Sequence, residues 1–232
     1  MNVRELIARL NVPAVRYEMG RGGVPELTNI DIAGALGMIQ DHFARDVFCA
    51  CWWPDGAIRT HQDVARDAMN RIVIEYARRE REAVAARLEL NIAQCAAAAK
   101  GRITPADREI LRNCEIVVSR ANGRCWKWNS MAYCRMFDAI IKEIRSPRLC
   151  WECNGRGERV TNQLKRQCDA CEGTGKRPQS KKARAIELGI PEKEYLRGVG
   201  AVYDWAYSLI HDAETRAALA FAIAVAREPE PA

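Results

Sequence analysis

Two copies of the unit Cys-x-x-Cys-x-Gly-x-Gly constrain this chain more than any other feature. The first reads Cys150-Trp-Glu-Cys153-Asn-Gly-Arg-Gly157, and the second, whose first cysteine stands fourteen residues beyond Cys153, reads Cys168-Asp-Ala-Cys171-Glu-Gly-Thr-Gly175. Each knuckle offers two thiolates to one side, and four thiolates complete a tetrahedral zinc shell. The glycines allow the chain to turn back beneath the metal at positive φ, with backbone N–H groups free to face the sulfurs. Two disulfides would use the same cysteines, but a reducing compartment disfavours them. Cys150, Cys153, Cys168 and Cys171 are therefore read as ligands of one Zn²⁺. With all four positions filled by protein, no place is left for water or substrate, so the ion is expected to be structural.

The charge is concentrated in the same place. Between Arg145 and Arg184 lie eleven Lys and Arg against four Asp and Glu, whereas the whole 232-residue chain carries +6. The remainder is thus close to neutral, and the basic segment has the electrostatic footprint of a nucleic-acid contact. No run of eighteen apolar residues and no basic-then-apolar leader occurs, which points to a cytoplasmic protein with no membrane partner.

Elsewhere the pattern is helical. Residues 1–29, with Pro13, Gly20, Gly22, Gly23 and Pro25, are expected to form a poorly ordered arm with at most a short helix. A helical region follows over 30–145. Its first helix is predicted from Ile32 to Cys51, capped by Thr28 or Asp31 and closed by Pro54-Asp55-Gly56. Thr60 caps the next, in which Val64, Ala68, Met69, Ile72, Val73, Tyr76 and Ala77 form an apolar stripe, with helix running on to about Ala99. Thr104-Pro105 opens another that ends at Asn122-Gly123. Tyr133, Phe137, Ile140, Ile141 and Ile144 mark a further helix leading to the zinc hairpin, 146–178, where Arg159-Val160-Thr161 carries the strand signal.

Residues 179–226 are expected to be helix-turn-helix-like, followed by a tail, 227–232. Lys181 to Leu188 forms the first helix and Gly189-Ile190-Pro191 the turn. A long helix carries Tyr195, Val199, Val202, Tyr203, Ala206, Leu209 and Ile210. Ala185, Gly189, Leu188, Ile190 and Tyr195 suit the packing roles of such a unit, while Arg184 and Gly198 stand where apolar residues are usual. Lys193 and Arg197 would then project toward base edges, and Lys181 and Lys182 toward phosphates. The fold class is mainly α: a helical domain with an inserted four-cysteine zinc-binding hairpin next to a helix-turn-helix-like unit.

Phosphate loops, a Gly-x-Gly-x-x-Gly fingerprint and a nucleophile elbow are all missing, and His42, His61 and His211 form no His-Glu-x-x-His motif. The expectation is a binding protein, not an enzyme, with no small-molecule substrate. His42 lies near Cys49 and Cys51, but these are read as ordinary residues. Cys95, Cys114, Cys125 and Cys134 are read as small core residues. Trp52, Trp53, Trp126 and Trp128 belong either to the core or to a partner surface.

Three stretches, taken in order, carry a family likeness. They are Asp31-Ile-Ala-Gly-Ala-Leu-Gly-Met38 with Val47-Phe-Cys49; the paired knuckles; and Lys181 onward through Ile190-Pro191 and Val199 to Val202-Tyr203-Asp204. Over about residues 30 to 212 the chain resembles the antitermination protein Q family of lambda-like bacteriophages. The knuckles alone also occur in DnaJ-type chaperones, but here they stand between helical segments as in the phage family. Residues from about 78 to 125 fall outside the likeness.

The resemblance implies a factor that binds double-stranded DNA near a phage late promoter in the bacterial host cytoplasm. It would engage host RNA polymerase through sigma and the beta flap, then suppress pausing and termination. Carried onto this chain, the DNA contacts fall among Arg156, Arg159, Lys165, Arg166, Lys181, Lys182, Lys193 and Arg197. A zinc-bearing chaperone-like peptide binder and a zinc-bearing nucleic-acid enzyme are the competing expectations.

Overall fold

A computed structural model describes residues 3–8, 29–53, 59–127, 130–161 and 164–226. Most of the 1–29 segment, the Pro54-Asp55-Gly56 turn, Trp128 and the 227–232 tail lie outside the described residues. The chain is mainly helical, as its apolar spacing demands. In order come α1 (Val3–Ala8), α2 (Asn29–Gly37), α3 (His42–Trp52), α4 (His61–Ala99), α5 (Pro105–Arg124) and α6 (Ser130–Arg145). Four short strands follow, β1 (Arg148–Leu149), β2 (Glu158–Thr161), β3 (Leu164–Gln167) and β4 (Lys176–Arg177). The chain closes with α7 (Lys181–Leu188), the single turn α8 (Glu192–Glu194), a π-helical turn at Tyr195–Val199, and α9 (Gly200–Ala226).

The core is organised around α3 and α9. Almost every side chain of α3 is buried, from Phe43 to Cys51, and Phe48 meets Phe221 of α9 with ring centroids 5.9 Å apart. The predicted face of α6, Tyr133, Phe137, Ile140, Ile141 and Ile144, is buried in the same core, and so are Val64, Ala68 and Ile72 from the first half of α4. Helix starts follow the side-chain caps: Thr60 accepts from Asp63 N–H, Thr104 and Asp107 form a capping box, and Ser180 accepts from Ala183 N–H.

Several expectations are corrected. The helix read as continuous from Ile32 to Cys51 is two, because the Asp41 carboxylate accepts from Ala44 N–H and starts α3 afresh. The first of them begins at Asn29, which places Asp31 inside its opening turn. The short helix allowed for in the arm is present as α1 and is docked: Leu6 and Ile7 are buried, and Arg4 bonds both oxygens of buried Glu214 at 2.7 and 2.9 Å. Cys95 and Cys134 are exposed and Cys114 and Cys125 half-buried, so none of the four is a core residue. The helix expected to run regularly from Tyr195 opens instead with a π-helical turn and settles into α-geometry only at Gly200.

Beyond the core, α4 and α5 form an antiparallel pair that the apolar stripe of 64–77 does not foretell. Ala83, Ala86 and Ala97 are buried yet stand outside the central core cluster, in a seam opposite α5. Arg87 reaches Asn122 Oδ1 at 2.6 Å, Arg79 bonds the Arg124 carbonyl at 3.1 Å, and Lys100 meets Asp107 at 2.6 Å. At 39 residues, α4 is roughly 58 Å long. Its distal half and α5 therefore project from the helical body as a hairpin.

Candidate metal centre

The two knuckles fold as near copies about a common axis. Cys150 N–H donates to the Gly175 carbonyl and Cys168 N–H to the Gly157 carbonyl, both at 2.8 Å. Gly155 N–H donates to the Cys150 carbonyl at 3.1 Å, and Gly173 N–H to the Cys168 carbonyl at 3.2 Å. Matching left-handed turns pass through Asn154 and Glu172, at φ 50° and 49°, and through the glycines that follow. Gly157 and Gly175 are fixed by space as well as by φ. A methyl group at either would lie 2.2 Å from a carbonyl oxygen of the opposite knuckle. Gly157→Ala is accordingly expected to weaken metal binding at least about 10-fold, which a chelator competition titration measures directly.

All four cysteines are buried, and their sulfurs lie within 4.8 Å of one another. The Cys150–Cys168 and Cys153–Cys171 sulfurs are 4.0 and 3.7 Å apart. A tetrahedral ion with metal–sulfur bonds of about 2.3 Å requires sulfurs about 3.8 Å apart, so the donor set fits one ion. Gly157 and Gly175 N–H groups donate to the Cys153 and Cys171 sulfurs, each at 3.3 Å, which stabilises thiolate. Burial opposes ionisation of Cys150, but N–H groups of Cys153 and Glu152 outweigh it and bring that thiol down to about 7. Burial leads the effects that hold Cys168 up at about 11. The four-cysteine cluster could therefore hold a metal ion. Cys49 and Cys51 take no part; they are buried in α3, where desolvation pushes both thiols up.

β1 pairs with β4 at the base of this insertion, Arg148 opposite Arg177 and Leu149 opposite Lys176. Beyond the cluster, β2 and β3 form a ribbon in which Arg159 stands opposite Arg166 and Val160 opposite Lys165. Like charges directly opposite are unfavourable. Here Glu152 offsets the repulsion, bonding Arg159 at 2.8 Å and Arg177 at 3.3 Å. Arg156, Arg159 and Lys165 line one shallow pocket above Cys153, while Arg166 is exposed on the ribbon. Lys181 and Lys182 occupy the first turn of α7, Lys193 lies in α8 and Arg197 in the π-helical turn, all exposed.

The sequence reading missed the group that anchors the hairpin's exit. Glu143, on α6 and 1% exposed, accepts from Gln179 N–H at 2.9 Å, from Arg184 Nε and Nη2 at 2.9 and 2.8 Å, and from Tyr203 Oη at 2.9 Å. Arg184 is itself buried and also reaches Asp204 at 2.7 Å. Its unusual place in the first helix of the expected unit thus has a structural cause: the position is not apolar because a buried carboxylate faces it. The available signal was Glu143 itself, an acid lying on the apolar stripe of α6.

No described helix is long and apolar enough to cross a membrane. Comparison with protein-family models, with curated proteins and with solved structures found no match to this chain.

Proposed function

We propose that this chain is a zinc-dependent, DNA-binding transcription antiterminator that acts with a host RNA polymerase. The observation that carries the DNA-binding part is the cationic surface raised on the four-cysteine cluster. Soft thiolates in tetrahedral array favour zinc, and the ion would hold upright the β2–β3 ribbon, which carries Arg159 and Arg166 on one face and Lys165 on the other, with exposed Arg156 beside it. Lys181 and Lys182 support the same reading. Lysines in the first turn oppose the helix dipole, a placement that a bound phosphate would turn to advantage.

In this reading the hairpin and α7 grip the phosphate backbone, while Lys193 and Arg197, at the start of the second element of the helix-turn-helix-like unit, read base edges. Antitermination rests on the resemblance to the phage Q family. It requires binding energy that biases polymerase states and needs no catalytic group.

Footprinting on a late-promoter region, with and without host polymerase, tests DNA binding and partner dependence together. Protection absent in both arms would overturn the reading. Arg197→Ala is expected to cost about 1–3 kcal/mol on the cognate site and little on random DNA. Lys182→Ala should instead weaken all DNA similarly and reduce the salt slope by about one. Equal losses from Arg197→Ala on cognate and random DNA would remove its base-reading role.

A further inference from the structure

From the base of the four-cysteine hairpin we infer a further nucleic-acid site, in which Trp151 is a stacking platform for an unpaired base of a single strand. Among the described tryptophans Trp126 is buried, Trp52, Trp53 and Trp205 are half-buried, and Trp151 stands 70% exposed. A ring of this size is ordinarily taken out of water, because it carries so much apolar surface. Nor does the knuckle require it. The second knuckle, a near copy of the first, has Asp169 at the matching position, and there too the side chain is exposed. The metal site thus has no need of an indole between its first two ligands.

The surroundings of the ring point to its occupant. Arg177 lies over the indole with its guanidinium carbon 5.4 Å from the ring centroid, and Glu152 holds Arg177 in turn at 3.3 Å. One face of the ring is thereby backed and its plane fixed, while its high exposure leaves the other face to solvent. Arg148 and Lys176 beside it are exposed, with no ion-pair partner among the described residues. Arg148, Leu149, Trp151, Arg177, Pro178 and Ser180 line a shallow cavity of about 410 Å³. A flat aromatic face flanked by cations matches an unpaired base and its phosphates, since every base has a π-face to stack. A duplex suits the ring less, because its bases are already stacked on one another. An apolar protein partner would desolvate Arg148 and Lys176 without supplying an anion. The site goes beyond the duplex contacts proposed above and uses none of the basic residues assigned to them.

Fluorescence anisotropy of the full chain with a labelled oligothymidylate of about 12 nucleotides tests the proposal, and an oligouridylate of equal length distinguishes DNA from RNA as the source of the base. Binding is expected in at least one arm, and Trp151→Ala should weaken it about 10-fold or more. Trp151→Phe, which keeps a π-face, should lose no more than about threefold, whereas Trp151→Leu, apolar without one, should fall with alanine. Each variant should keep the metal content and circular dichroism of the wild type, since the side chain is exposed and is not a ligand. An abasic strand gives a readout on the wild type itself, which should bind it about as weakly as Trp151→Ala binds the intact strand. No binding in either arm, equal binding by wild type and Trp151→Ala, or a Trp151→Leu protein as tight as wild type, which is how an apolar peptide contact behaves, would overturn the proposal. Duplex DNA takes no part in this assay, so failure of the footprint and failure of this site are separate results.

Discussion

Cys168→Ala is expected to abolish metal binding and collapse the hairpin while leaving most of the helical body intact. Three thiolates cannot close the tetrahedron, and in small metal modules binding free energies of about 10–16 kcal/mol are also the folding free energy. The hairpin has no other core among the described residues: its buried apolar cluster is the four cysteines, with half-buried Ala170 packed against them. Elemental analysis should therefore fall from about one ion per chain to about zero. Limited proteolysis should open between residues 150 and 175, and the DNA affinity that the proposed function calls for should drop with it. Helical circular dichroism should change little, since no α-helix takes a side chain from the cluster. Cys153→Ala should behave alike, because the two knuckles hold equivalent places. A Cys168→Ala protein that retains stoichiometric metal would refute the assignment of the ligands.

The second large effect is expected at Glu143. Alanine there would leave Arg184 buried with only the exposed Asp204 as an ionic partner, and would free the Gln179 N–H and the Tyr203 hydroxyl. Stripping one partner from a buried ion pair costs about 3–5 kcal/mol. For a chain of this size that corresponds to a fall in Tm of roughly 10 °C or more. Replacing both partners by apolar residues, as in E143L/R184M, should recover much of the loss, because no uncompensated charge then remains. A Tm for Glu143→Ala within about 2 °C of wild type would show that the network contributes little.

What the sequence discloses here is what local chemistry decides. The ligand quartet, the caps at Thr60, Thr104 and Ser180, and the bounds of α7 each depend on residues a few positions apart, and all were readable. Long-range partnerships were not. Glu143 and Arg184 are 41 residues apart, and neither announces the other. The break at Asp41 escaped because apolar residues continue on both sides of it, so periodicity outweighed a single cap. The pairing of α4 with α5 escaped because the fully buried apolar residues of its seam are alanines, Ala83, Ala86 and Ala97, while Leu90, Leu111 and Val118 are only half-buried, which leaves little hydrophobic contrast to read. For the basic surface, sequence located the charge, while the register of β2 and β3 arranged part of it into a paired ribbon.

The pairing of β1 with β4 means that the chain leaves and re-enters the helical body at one doorway, Arg148 beside Arg177. Everything between them is an excursion with a shared threshold. The ties across α6, α7 and α9 are made by residues on either side of that doorway, not by residues within it. The protein is thus built like a tool with a detachable head. A version in which a short turn replaces residues 149–176 should keep its handle and, on the proposed function, lose its affinity for DNA.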